Sequence, residues 1–313
     1  MSGPPENQLP KPAHPLILFI QMMRPFFLLG GVLLYALGAG IARYLGNQIN
    51  WDIYLLGQIT VTTLQLSTHF LNEYYDSPAD QQNPNRTPFN GGSGAVGTGK
   101  LPRQTALVSG LVMLAAVASL TVLIMVRVHP TPVVYLILLL SFFAAVFYSV
   151  PPVRLESSGY GELTTSLLEG FLLPAFAFSL QTGDLHRLLA MVGFPLVALH
   201  FAMMIAFEMP DYGSDLKYGK RTILVRMGWK NGMTLHNVMI ISAYLLLILA
   251  ASLGLPLAFV LAAFLPLPLG LLEIWQMHQI AQGRPPNWRA LGINAVILFG
   301  ATAYLLAFTF WTR

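Results

Sequence analysis

Apolar stretches long enough to cross a bilayer recur from one end of this chain to the other, each bounded by charge or by glycine and proline. Nine can be marked, over 25–42, 51–71, 104–126, 131–150, 162–181, 187–208, 232–254, 256–273 and 290–311. In hydrocarbon, backbone N–H and C=O groups must be satisfied inside the spanning structure, and stretches of this length do that as helices. The sequence therefore predicts an all-α polytopic membrane protein with nine transmembrane helices, and a single transmembrane domain over 1–313. Residues 1–15 form a polar, proline-rich tail without a cleavage signature. Residues 16–23 are expected along the membrane interface. Charged residues make up only 10% of the chain, against about 25% in soluble domains. No cysteine is present, which excludes disulfide scaffolds, cysteine zinc sites, iron–sulfur ligation and thiol catalysis.

The basic residues orient the spans. With nine crossings, Arg43, Arg127, Arg187 and Arg313 fall on one side, and the remaining 13 of 17 lysines and arginines, Lys11 among them, fall on the other. Basic residues concentrate on the cytoplasmic side. The N-terminus and the loops after the second, fourth, sixth and eighth spans are therefore expected in the cytoplasm. The lipid bilayer accounts for the basic pI without a nucleic-acid partner.

Of 13 acidic residues, six occupy two short windows on that same side. Glu73, Asp76 and Asp80 close the second span; Glu208, Asp211 and Asp215 close the sixth. Asp211 and Asp215 are four apart and share a helical face, as do Asn72 and Asp76. Pro78 predicts a helix end near Ser77, with Asp80 reaching in from a turn. Like charges gathered at a membrane edge need positive charge between them. No histidine or cysteine accompanies these acids, so hard oxygen ligation of Mg²⁺ fits better than zinc. Two facing clusters suit two Mg²⁺ ions bridged by a diphosphate. The loops agree. Arg86-Thr-Pro-Phe-Asn-Gly-Gly-Ser-Gly94 and Lys100 follow the first cluster, and Gly219-Lys220-Arg221-Thr222 the second. Consecutive glycines let backbone N–H groups converge on an anion, and Lys or Arg neutralise phosphate oxygens.

At these residues the chain resembles the UbiA superfamily of intramembrane prenyltransferases. The motifs read Asn72-Glu-Tyr-Tyr-Asp76-Ser-Pro-Ala-Asp80 and Asp211-Tyr-Gly-Ser-Asp215. Within the superfamily it is most similar to the MenA branch, through Asn72–Asp76, Arg86–Ser93 and Gly219–Gly228. The Phe147–Pro152 stretch is shared by several branches. Glu73 stands where relatives carry aspartate, and Asp80 follows without the longer insert many of them have. The resemblance implies nine helices around a central cavity, with a polyprenyl diphosphate and an aromatic acceptor as ligands. It implies prenyl transfer to 1,4-dihydroxy-2-naphthoate in menaquinone biosynthesis. Asn72, Asp76, Asp80, Asp211 and Asp215 would hold the metal. Arg24, Arg86, Lys100, Arg154, Lys220 and Arg221 would face the diphosphate.

An allylic cation needs a dry cavity with electron-rich faces, and Tyr74, Tyr75, Tyr148, Tyr212 and Phe207 beside the motifs are candidates for that role, Tyr148 first among them. His69, His200 and His236 are expected as hydrogen-bonded interior histidines. Glu169 should face the bundle interior. Three alternatives stay open at this point. A membrane terpene cyclase would ionise the same diphosphate. Another acceptor, such as 4-hydroxybenzoate, homogentisate or a glycerol phosphate, would serve the same layer. A secondary transporter would also place acids in the membrane, although such sites tend to lie at the midplane.

Overall fold

The computed structural model of the chain describes residues 14–81, 83–97 and 100–313. Most of the expected polar tail, Lys11 included, lies outside the described residues. The described chain is helical throughout: α1 (Pro15–Met22), α2 (Pro25–Tyr44), α3 (Trp51–Asp80), α4 (Arg103–Val128) and α5 (Pro132–Ser149) come first. Next are α6 (Gly161–Leu167) and α7 (Leu173–Thr182), joined by a π-helical turn over Leu168–Leu172. After α8 (Arg187–Glu208), a 3₁₀ turn over Met209–Asp211 leads into α9 (Tyr212–Tyr218). The chain ends with α10 (Ile223–Met227), α11 (Trp229–Ser252), α12 (Leu257–Phe264), α13 (Leu267–Ala281) and α14 (Trp288–Thr312).

The boundaries follow local chemistry. Proline opens α1, α2 and α5, where its missing N–H would be unbonded anyway. The Asn287 side chain caps α14 by accepting from the Ala290 N–H at 3.0 Å. Gly183 closes α7 at φ +80°, a left-handed conformation that glycine adopts without strain.

Among the described residues, eight segments are long and apolar enough to cross a membrane. They are Pro15–Tyr44, Arg103–Val128, Pro132–Ser149, Gly161–Thr182, Arg187–Tyr218, Trp229–Ser252, Leu257–Ala281 and Trp288–Thr312. The expected span over 51–71 is not among them. That stretch is helical, as part of α3, but Gln58, Thr60, Thr62, Thr63, Gln65 and Thr68 dilute its apolar character. Apolar side chains at Leu111, Val122, Leu245, Ile248, Leu261 and Phe308 point outward, where a bilayer would solvate them.

The loops sort to two ends. Asn50 and Gln181 exchange hydrogen bonds at 2.9 and 3.2 Å, and the Thr131 hydroxyl donates to the Gly183 carbonyl at 2.6 Å. Trp51 stacks on Trp311 at that end, with ring centroids 5.9 Å apart. At the opposite end the Gln21 amide donates to the Ser93 carbonyl at 2.6 Å, and Lys220 reaches Asp76.

The helices meet closely where glycine permits it. A Cβ added to Gly38 of α2 would lie 2.7 Å from the Pro174 carbonyl carbon and 2.9 Å from the Ala177 Cβ on α7. Backbone cannot yield as a side-chain tip can, so Gly38→Ala is expected to cost about 1–3 kcal/mol. A thermal unfolding midpoint within a degree of the parent protein's would show that the α2–α7 contact is slack.

Candidate active site

The acid-bearing end is built first from α3. The helix does not stop near Ser77 as Pro78 suggested; it runs through Pro78 to Asp80. Proline at 78 leaves the Tyr74 carbonyl without its helical donor. Arg103 supplies the substitute: its Nε donates to the Tyr74 carbonyl at 2.6 Å, and its guanidinium lies 4.1 Å from the Tyr74 ring centroid. Asn72 and Asp76 therefore sit one turn apart on one face, and the Asn72 amide donates to Asp76 at 3.1 Å. Asp80 lies one turn further, against Gly92. Gly92 is at φ +73°, and a side chain there would run into the Asp80 carboxylate.

Asp211 and Asp215 arrive from the end of α8 and from α9. Asn83 and Asn90, on the loop after α3, donate their side-chain amides to Asp211. Asp215 is buried. Gly219, at φ +69°, turns the chain back so that the Lys220 N–H bonds the Asp215 carbonyl at 2.9 Å. The Lys220 ammonium then crosses to the other cluster and pairs with Asp76 at 2.7 Å. Arg154 joins from the 150–160 loop, 3.6 Å from Asp76 and 3.5 Å from Glu156. The two acid windows thus face one end of the bundle, with Lys220 between them.

The remaining cations are placed differently from the expectation. Arg24 borders the cavity but pairs with Glu73 at 3.2 Å. Arg86 donates to the Gly92 carbonyl at 2.8 Å, and Lys100 to the Gly94 carbonyl at 2.7 Å. Both brace the glycine loop. The Arg221 side chain is exposed, and its backbone N–H bonds the Ser157 carbonyl at 3.1 Å. Glu73 accepts from the Ser93 N–H at 2.9 Å and from its hydroxyl at 2.6 Å, so it anchors that loop. Three site residues escaped the sequence reading: Asn83 and Asn90, which hold Asp211, and Glu156. Glu156 accepts from Asn72 at 2.6 Å and from Ser149 at 2.8 Å, and only its position after Pro151-Pro152 hinted at it.

The electrostatics are those of a cluster short of positive charge. Burial, and then the charge of Asp76, push the Glu156 carboxyl up to about 8, against the pull of Lys220 and the Ser149 hydroxyl. Burial works against the Lys220 ammonium, yet Asp76, Glu156 and Asp215 hold it well above the usual lysine range. Asp76 Oδ1 is buried without a hydrogen-bond partner among the described residues. These are hard oxygen donors with capacity to spare, and they fit a divalent cation. Among the described residues, no three acids or histidines converge on one point. The fit is therefore to an ion that takes further ligands from a substrate phosphate and water, as Mg²⁺ commonly does.

Behind this layer lies an apolar cavity of about 870 Å³. Asn72, Arg24, Phe89 and Phe207 border its acid end, and Tyr148 is in its wall. The interior histidines are bonded: His69 Nδ1 lies 2.9 Å from the Met23 carbonyl, His200 Nδ1 3.0 Å from the Ser166 hydroxyl, and His236 Nε2 3.2 Å from Glu273.

Comparison with known proteins gives the same outline. The model of the UbiA prenyltransferase family matches residues 31–299. A 1,4-dihydroxy-2-naphthoate octaprenyltransferase of Bacillus subtilis (strain 168) is 22% identical over 252 residues, covering 79% of this chain and 78% of that one. Among solved structures, a UbiA homolog from Archaeoglobus fulgidus bound to GPP and Mg²⁺ superposes with a TM-score of 0.65 at 16% identity, covering 95% of this chain and all of that one. A digeranylgeranylglyceryl phosphate synthase gives 0.64 at 14% identity, over 95% of this chain and 99% of that one.

Proposed function

The chain belongs to the UbiA prenyltransferase family, and on that premise we propose that it transfers a polyprenyl group from an allylic diphosphate to an aromatic acceptor. The acceptor we assign is 1,4-dihydroxy-2-naphthoate, the substrate of menaquinone biosynthesis. One observation carries the reading: two acid-bearing helix ends meet across Lys220 at the mouth of a large apolar cavity. A diphosphate suits the mouth and an isoprenoid tail suits the cavity. The Bacillus relative, itself an octaprenyltransferase for that naphthoate, supports the acceptor. So do the Arg86–Ser93 and Gly219–Gly228 stretches.

Asn72, Asp76 and Asp80 from α3, with Asp211 and Asp215 opposite, would hold Mg²⁺, two ions bridged by the diphosphate. When bound, the metal supplies positive charge to the departing diphosphate. Lys220 and Arg154 add fixed positive charge at the same edge. Tyr148 and Phe207 border the space where the allylic carbon would lie, and the apolar wall would keep water from it. Arg24, Arg86 and Lys100 act at one remove, by fixing the glycine loop and its neighbour Glu73.

The test is purified protein with geranylgeranyl diphosphate, Mg²⁺ and a panel of acceptors, read by mass spectrometry. The naphthoate product is expected to have lost CO₂, because attack at the carboxylated carbon restores aromaticity that way. Chelation of divalent ions should stop the reaction, and added Mg²⁺ should restore it. A product that keeps the carboxylate, or prenylation of 4-hydroxybenzoate in its place, would overturn the acceptor and leave the transferase.

We also read α3 as a ninth crossing, with the N-terminus and the acid-bearing loops cytoplasmic. Parity supports it. α1 packs at the acid-bearing end through Gln21, whereas the last helix ends at the other, where Trp311 stacks on Trp51. Opposite ends require an odd number of crossings. The polar face of α3 borders the cavity, which removes the objection from its composition. Cysteine scanning is clean in a chain with no cysteine. Gln81→Cys and Lys217→Cys should label from the cytoplasmic side and Asp184→Cys from the other. Labelling of Gln81→Cys and Lys217→Cys from opposite sides would sink this topology.

A further inference from the structure

Deep in the apolar cavity, away from the acid-bearing end, lies a second polar group that the diphosphate chemistry does not use. The Gln65 amide donates to Glu169 at 3.0 Å, and the Gln65 Oε1 is buried with no partner among the described residues. Both residues border the cavity, as does His200. Gln65 lies seven residues before Asn72 on α3, two turns away and about 10 Å along the axis.

The arrangement is built, not incidental. Glu169 sits in the π-helical turn over Leu168–Leu172, which shifts the register between α6 and α7 and aims it at the cavity. The turn is locked from behind. A Cβ on Gly170 would lie 2.6 Å from the Val197 N on α8, and one on Gly193 would lie 3.0 Å from the Gly170 carbonyl oxygen. On the other side Gly31 of α2 clears the space that the Gln65 amide fills. Three glycines thus hold one amide and one carboxyl at the wall of a mostly apolar chamber.

A carboxyl in such a place is costly unless something bonds it. An isoprenoid tail brings no donor. A phenolic acceptor does. We propose that Glu169 and Gln65 form the hydrogen-bonding subsite for a ring hydroxyl of the acceptor, a proposal that rests on the prenyl-transfer reading above. The ring would lie between this pair and the diphosphate layer, with one hydroxyl donating to the Glu169 carboxylate or to Gln65 Oε1. That bond orients the reacting carbon towards the allylic centre and pushes electron density into the ring. It also gives the cavity a reason to prefer a hydroxylated ring over the apolar tail at this depth.

The test uses the full-length protein in lipid nanodiscs with geranylgeranyl diphosphate and three acceptors: 1,4-dihydroxy-2-naphthoate and its 1- and 4-methyl ethers. A hydrogen bond to a charged group sets the scale at about tenfold to a hundredfold. Glu169→Gln is expected to raise KM for the naphthoate by that factor and to leave KM for the diphosphate within about twofold. One of the two ethers should be correspondingly poor with the parent protein, and Glu169→Leu should worsen that ether no further. The ether comparison needs no variant, so a folding defect in Glu169→Leu does not leave the idea standing unopposed. Equal shifts in both KM values would mark Gln65–Glu169 as a structural link between α3 and the π-helical turn. Two ethers as good as the parent acceptor would overturn the proposal outright. Failure of the transferase reading looks different: the parent protein would prenylate no ring at all, and this subsite would fall with it.

Discussion

Alanine at Asp211 or Asp215 is expected to lower prenyl transfer by on the order of a thousandfold, the scale seen when one preorganised electrostatic contact to a developing charge is removed. The two carboxylates are four residues apart and reach the same layer as Asp76, with Lys220 between. Asp211 is held by two amides, from Asn83 and Asn90, so its oxygens are fixed before any ligand arrives. Water can fill a vacated position on Mg²⁺ but does not replace the negative charge of the lost carboxylate. Raising Mg²⁺ should recover little of the loss, because the ligand is missing and not merely weakened. The contrast is Glu73→Gln. Glu73 accepts from Ser93 and pairs with Arg24, so its loss should loosen the glycine loop and cost far less than a thousandfold. Near-parental turnover in both Asp211→Ala and Asp215→Ala at saturating Mg²⁺ would rule out the two-cluster site. An equal loss in Glu73→Gln would mean that loop order, not ligation, governs the rate.

How much of this could be read from the chain alone depends on the range of each interaction. The pairing of Asp211 with Asp215 and of Asn72 with Asp76 follows from helical spacing, a property of neighbours, and the structure keeps both pairs on one helical stretch each. The continuation of α3 through Pro78 was not legible. It depends on Arg103, 25 residues after Pro78 in the sequence, satisfying the Tyr74 carbonyl. Glu156, Asn83 and Asn90 were missed for the same reason: nothing near them in the sequence announces Asn72 or Asp211 as partners. Arg86 and Lys100 looked like phosphate ligands because they are basic and border glycines. The folded loop gives them carbonyl oxygens of its own to bond. The shift at Leu168–Leu172 leaves no trace in a simple periodicity, since a π-helical turn inserts one residue without changing residue type.

Lys220→Met is expected to separate stability from chemistry. The ammonium lies 2.7 Å from Asp76, and both side chains are largely buried. Removing one partner of such a pair strands the other, at a cost of about 3–5 kcal/mol. Arg154 remains, at 3.6 Å, and can offset only part of that. The variant should therefore unfold at lower temperature, and on the proposed function transfer should fall steeply because a leaving diphosphate would lose the fixed cation between the two acid clusters. Two further arms decide why. Asp76→Asn placed on top of Lys220→Met removes the stranded charge, so it should recover stability and recover no transfer. Mg²⁺ should raise the unfolding temperature of Lys220→Met more than that of the parent protein, because an unneutralised carboxylate cluster gains more from a divalent cation. Arg221→Met provides the control: its side chain is exposed, and among the described residues its bond to Ser157 is made by the backbone N–H. A loss of transfer in Arg221→Met as large as in Lys220→Met would contradict the assignment of Lys220 as the bridge between the two acid clusters. A Lys220→Met protein as stable as its parent without Mg²⁺ would show that the acids at this end are not held together by charge.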